Sequence, residues 1–150
     1  MKEWKKEIQE ACQHWLSDKL HHIEDALYQA RQGIESEEKS SAGDKYETGR
    51  AMGHLEQERL SRQLKEIKFM QSSLNSLMMQ PVTDRVVPGT LIRCAEIWVF
   101  IVVGIGKISI QNSEVWVISA ASPIGKSMLG KRKGDMVNLN GKLKVIEELL

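Results

Sequence analysis

Two segments of the chain carry side chains whose types and spacing can do chemistry. In Gly43-Asp44-Lys45-Tyr46-Glu47 the carboxylates of Asp44 and Glu47 stand three residues apart, a spacing that puts both on one face at the start of a helix. Two hard oxygen donors placed this way can hold a Mg²⁺ that keeps its waters and other ligands, although alone they hold it weakly. The same residues suit a quieter role, because Ser41-x-x-Asp44 or Asp44-x-x-Glu47 is also a capping box. The second segment runs from Ser119 to Gly134 and contains Ser122-Pro123-Ile124-Gly125-Lys126-Ser127. Gly125-Lys126-Ser127 supplies the second half of a phosphate loop, but Ala120 stands where the first glycine belongs. Pro123 also removes a backbone N–H from a loop that would work by aiming such groups at phosphate. A nucleotide site is therefore not expected here.

The elements that must position these residues change character near Pro81. From Ile8, apolar residues fall at Cys12, Leu16, Leu20, Ile23, Leu27, Ala30 and Ile34, and from Leu16 the steps alternate four and three, the period of a coiled-coil seam. The pattern resumes at Met52, Leu55, Leu60, Leu64, Ile67, Met70, Leu74 and Leu77. Between them, Glu35 to Gly43 holds Ser36, Ser40, Ser41 and Gly43, enough for a turn. Two long helices so joined are expected to fold back antiparallel and bury each other's stripe. Beyond Pro81 the sequence predicts strands at Val86–Ile92, Ile97–Val103, Glu114–Ser119, Met136–Leu139 and Leu143–Ile146, with Asn140-Gly141 as a hairpin turn. One short helix is expected from Pro123 to about Leu129, since proline suits its first turn and Gly130 its end. Gly104-Ile-Gly106 reads as a strand bulge, not a dinucleotide fingerprint. The fold class predicted is α+β: an antiparallel helical coiled-coil hairpin over residues 1–80, then a small antiparallel sheet with one helix over residues 81–150.

Composition excludes several roles. Residues 1–80 carry 12 Lys and Arg against 14 Asp and Glu, and residues 81–150 carry nine against six. Neither half is a polycation suited to autonomous DNA binding. The longest apolar run, Ile97 to Gly106, is half the roughly 20 residues of a membrane-spanning helix. The charged start, Met1-Lys-Glu-Trp-Lys-Lys-Glu, lacks the apolar core of a signal peptide, so a cytoplasmic protein with no membrane partner is expected. Cys12 and Cys94 stand in no metal or redox spacing and read as small buried hydrophobes. His14, His21, His22 and His54 form no helical i, i+4 pair. Trp4, Trp15, Trp98 and Trp116 read as packing residues.

The series Ser122-Pro123-Ile124-Gly125, Gly130-Lys131 and Gly134-Asp135 resembles the C-terminal domain of the Gre family of bacterial transcript cleavage factors, a domain with an FK506-binding-protein-like (FKBP-like) fold. That family begins with an antiparallel coiled-coil hairpin whose tip carries Gly-Asp-x-x-Glu, which Gly43-Asp44-Lys45-Tyr46-Glu47 matches at the predicted turn. The resemblance covers nearly the whole chain. It implies a transcription elongation factor that is not itself an enzyme. Its tip would enter the secondary channel of RNA polymerase, where Asp44 and Glu47 would help retain a Mg²⁺ shared with the polymerase active site and position water for cleavage of backtracked RNA. A helix of about 30 residues reaches on the order of 45 Å, which suits such a probe. Ser122, Pro123, Ile124 and Gly125 would face the polymerase, and Lys45 and Arg50 would lie near the nascent RNA 3′ end, with DNA involved only indirectly.

The chain departs from the family at two places. Thr48-Gly49-Arg50-Ala51 stands where Asn-Ala-Glu-Tyr is usual, adding a helix-weakening glycine and a cation beside the carboxylates, and Ala121 replaces the Asp or Asn that often precedes Ser-Pro. These departures leave a second reading, a Gre-like regulator that occupies the same channel without cleavage. A prolyl isomerase, suggested by the fold alone, finds little support in a chain with 5% aromatic residues.

Overall fold

The computed structural model describes residues 2–38 and 43–150, with the side chains of residues 37, 38 and 43–46 outside that description. Two long helices, α1 (Lys2–Glu38) and α2 (Gly43–Met78), pack against each other and precede a small mixed β-sheet domain with one short helix, an α+β arrangement. Most of the turn expected between the helices, residues 39–42, lies outside the described residues. Contacts divide the chain into two compact units, Trp15–Gln71 and Met1–His14 together with Ser72–Leu150. Among the described residues no helix is long and apolar enough to cross a membrane.

In the unit Trp15–Gln71 the buried stripe of α1 runs through Leu16, Ile23, Leu27 and Ile34, as its periodicity predicts. On α2 the stripe differs from expectation. Leu60 and Ile67 are buried, whereas Met52 and Leu55 are 66% and 65% exposed. The seam steps back by seven from Ile67 through Leu60 to Gly53, a heptad line that bypasses Met52. Ile34 fills the space a Gly53 side chain would take: a β-carbon there would stand 2.8 Å from Ile34 Cγ1.

The other unit is built on a five-stranded sheet of order β3-β4-β2-β1-β7, with β1 Leu91–Cys94, β2 Ile97–Val102, β3 Gly106–Ile110, β4 Ser113–Ser119 and β7 Glu148–Leu149. A separate two-stranded sheet pairs β5 (Met136–Leu139) with β6 (Lys142–Val145). The expected all-antiparallel sheet is corrected here, because β2 and β4 run parallel, with Val99 opposite Trp116 and Ile101 opposite Ile118. The cause is β3, a strand missing from the sequence reading. The chain leaves β2 through Gly104-Ile105-Gly106, where the Ile105 amide donates to both Val103 and Val117 carbonyls. It then runs back as β3 one strand's width away, and β4 fills the gap antiparallel to β3. Gly104-Ile-Gly106 is thus a crossing between strands, with Gly106 at φ 107, not a bulge within one. The strand expected at Val86–Ile92 starts only at Leu91. Before it, Thr90 N–H bonds the Val87 carbonyl in a turn that needs Gly89 at φ 97.

Strand alternation buries both faces of the central strands. Ile92, Cys94, Val99, Ile101 and Trp116 form one core with Met128 of α3 (Pro123–Met128), Val137, Leu139 and Ile146. Leu91, Trp98, Phe100, Val115 and Val117 face the other way and are also buried. The first turns of α1 lie on that second face: Trp4 meets Trp98 edge-on with ring centroids 6.0 Å apart, and Lys5 Nζ donates to the Leu150 carbonyl at 2.9 Å. Each large aliphatic or aromatic side chain withdrawn from water stabilises the unit by about 1.5–3 kcal/mol.

Candidate functional site

The acidic segment lies at the very start of α2. Gly43-Asp44-Lys45-Tyr46-Glu47 has helical backbone from its first residue, so Asp44, Glu47 and Arg50, at successive steps of three, occupy one side of the opening turns. The side chains of Asp44 and Lys45 lie outside the described residues. Glu47 and Arg50 are exposed, which leaves the Glu47 carboxylate open to an incoming ion and sets a guanidinium-bearing residue one turn along. Two carboxylates fit Mg²⁺ by donor type, and leave most of its coordination shell to water or to another molecule. Among the described residues no three His, Cys, Asp or Glu side chains gather at one point.

The Ser122 segment is a tightly bonded turn at the start of α3. Ser122 Oγ accepts the Gly125 amide at 3.0 Å and donates to the Ser119 carbonyl at 2.7 Å. The Ser122 amide also donates to that carbonyl, at 3.0 Å, and its own carbonyl accepts from Lys126 N–H at 2.8 Å. Ser122 is thus the N-cap of α3, with Pro123 in the first helical turn where no N–H is missed. The Gly125 and Lys126 amides, which a phosphate loop would aim at a ligand, are committed to Ser122. Gly125 is buried, and nothing larger fits there: a β-carbon would come 2.2 Å from the Ser119 oxygen. Pro123 is exposed, whereas Ile124 is partly buried against the core. The residue pair Asp44 and Glu47 and the turn Ser122–Gly125 belong to different units.

No protein-family profile, no curated protein and no solved structure matches this chain.

The Gly130-to-Asp135 segment closes the core. Gly130 N–H and the Lys131 carbonyl bond the Val86 carbonyl and amide, each at 2.8 Å, while Gly134 N–H donates to the Ile146 carbonyl. Asp135 Oδ2 accepts the Arg132 amide at 2.8 Å. Gly130 and Gly134 take φ of 80 and 93, values that glycine adopts at little cost. Trp98 and Trp116 are buried packing residues, as expected. Trp116 also carries a surface cluster the sequence reading missed. Its indole N–H donates to Glu114, and Lys107 Nζ lies 4.4 Å from its ring centroid and 3.6 Å from Glu114. The Trp116 hydrogen bond, with Lys107 adding to it, holds the Glu114 carboxyl below the usual carboxylate range. Neighbouring positions on the unrecognised β3–β4 pair bring these groups together: Lys107 stands opposite Trp116.

Proposed function

We propose that the chain is a Gre-type accessory factor of RNA polymerase: it binds in the secondary channel and stimulates the polymerase's own cleavage of backtracked RNA. The observation that carries the reading is the acidic pair Asp44 and Glu47 in the opening turns of the second of two long packed helices, in a chain whose other unit presents the Ser122-capped turn. With 37 and 36 residues, the helices are long enough for a probe of this kind. In this reading the sheet unit is FKBP-like, and Ser122, Pro123, Ile124 and Gly125 are its polymerase-facing turn. A Mg²⁺ shared with the polymerase supplies Lewis-acid chemistry for phosphodiester hydrolysis. Asp44 and Glu47 hold that ion and orient water, and Lys45 and Arg50 face RNA phosphate. The factor adds ligands and is no nuclease by itself.

Stalled, backtracked elongation complexes given the protein and Mg²⁺ test this. Release of short 3′ RNA fragments is expected, with Asp44→Ala and Glu47→Ala each lowering it by about tenfold or more, the scale on which metal-site residues act, while polymerase binding persists. Undiminished release by both variants overturns the mechanism. Binding without any release by the unaltered protein selects the second reading, a channel-occupying regulator. That reading draws on the exposed Arg50, whose positive charge beside Glu47 competes with a cation for the carboxylates.

A further inference from the structure

The margin of the five-stranded sheet formed by β3 is an open edge. The turn Gln111-Asn112 joins Ile110 to Ser113, so those two residues exchange N–H···O bonds and, by alternation, so do Ile108 and Val115. Lys107 and Ser109 therefore turn their N–H and C=O groups away from β4, where the strand order places no further strand. Gly106, Lys107 and Ser109 are exposed. Folded proteins guard such an edge with proline, with charges or by keeping it short. The opposite margin follows that rule, since β7 has two residues. β3 has five residues and no proline, and its one charge is turned back over its own hairpin: Lys107 Nζ lies 4.4 Å from the Trp116 ring centroid and 3.6 Å from Glu114.

We propose that β3 pairs antiparallel with β3 of a second copy, about a two-fold axis at Ile108, joining two sheets into one. The edge itself selects this occupant and register. With Ile108 opposite Ile108 of the second copy, the whole strand overlaps, and the outward groups of Lys107 meet those of Ser109 in the hydrogen-bonded positions. Side chains agree with the backbone on both faces. On one, Val115 and Ile108 continue into Ile108 and Val115 of the second copy, an aliphatic row. On the other, Lys107 lies beside Ser109 of the second copy, and beyond that small side chain stands the second copy's Glu114, which the register sets opposite Ser109. Opposite charges thus face each other across the seam and no two cations meet. Setting Lys107 against Lys107 instead loses both features. So short a pairing falls below the roughly 1,200 Å² of a stable interface, so the dimer is weak and forms at high concentration. The inference involves neither Asp44 nor Glu47 and is independent of the tip mechanism.

Sedimentation equilibrium of the full chain, isotope-labelled so that amide exchange is read on the same samples, tests this. Reversible dimerisation at or below about 1 mM, the weak end of ordinary affinities, is expected. The Lys107 and Ser109 amides should gain protection with concentration, while that of Ile108, already bonded to β4, stays unchanged. Ser109→Pro removes only an outward-facing N–H, a place where an edge strand accepts proline, and is expected to weaken association about tenfold or more. Ser109→Lys sets a second cation against Lys107 and is expected to weaken association too; it keeps the proposal testable if the proline variant fails to fold, which amide dispersion reports. Leu143→Glu, at an exposed position of β6, is expected to leave association unchanged. A monomer at about 1 mM, association insensitive to both Ser109 variants, or association lost in Leu143→Glu overturns the proposal. So does saturable binding of an extended Thr-Val peptide along β3 by a chain that itself stays monomeric, since that assigns the edge to a foreign strand.

Discussion

Gly125 stands so close to the carbonyl oxygen of Ser119 that a β-carbon on it would lie 2.2 Å away, with Ser122 Oγ at 2.9 Å. Both neighbours are held by other bonds, since Ser122 Oγ caps α3 and Ser119 O accepts from Ser122 N–H. Neither can yield without loosening the turn. Gly125→Ala is therefore expected to lower stability by about 1–3 kcal/mol or more through overpacking, seen as a lower urea midpoint at unchanged slope. Lys126→Ala, next along and exposed, is expected to stay within about 0.5 kcal/mol. Equal effects from the two substitutions would show that the close approach relaxes at no cost.

The displaced seam of α2 makes a second prediction. Leu55 is 65% exposed and Leu60 is 4% exposed, although both fit the apolar period of the helix. Leu60→Ala is expected to cost about 2–5 kcal/mol, because it opens a cavity between helices. Leu55→Glu is expected to change stability by about 0.5 kcal/mol or less, as surface substitutions do. Paired thermal melts decide the matter; a large loss from Leu55→Glu would return that residue to the buried stripe.

What could be read in the sequence follows the range of the interaction that fixes each feature. Asn140-Gly141 marks its hairpin because both residues take left-handed φ, 53 and 83, and those residue types favour it. Gln111 and Asn112 take the same conformation, φ 47 and 66, between β3 and β4. Gln is not a type that signals such a turn, so the hairpin and strand β3 carry no clear local mark in the sequence. The parallel pairing of β2 with β4 is hidden with them, since it depends on β3 occupying the next place outward. In α2, a glycine on the seam carries no apolar signal, so the apolar period of the sequence runs through Met52 instead of Gly53. In the candidate site, the short helix α3 was legible because Pro123 in its first turn and Gly130 beyond its end act locally, whereas the Ser122 cap is a feature the structure adds. The acidic pair was legible as a spacing only. Its chemistry depends on ligands that two carboxylates cannot supply.

The two cysteines link the core to pH. Cys12 and Cys94 are both fully buried, and burial pushes their thiols up, to about 12 and about 11 respectively, with the Glu147 charge adding to the rise at Cys94. A thiol that is harder to ionise in the folded state than at the ordinary value of 9.0 favours folding while it stays protonated. That contribution is fully present below about pH 9 and is lost as pH rises from there through the folded-state values. The urea midpoint is accordingly expected to fall between about pH 9 and about pH 11, and to fall less in Cys94→Ala, the difference separating the thiol from the lysines that titrate in the same range. Disulfide-exchange reagents should leave both thiols unmodified in the native protein at about pH 8 and react with both once guanidinium unfolds it, because attack requires an accessible thiolate. Rapid native-state labelling of either cysteine would mean that its core opens locally.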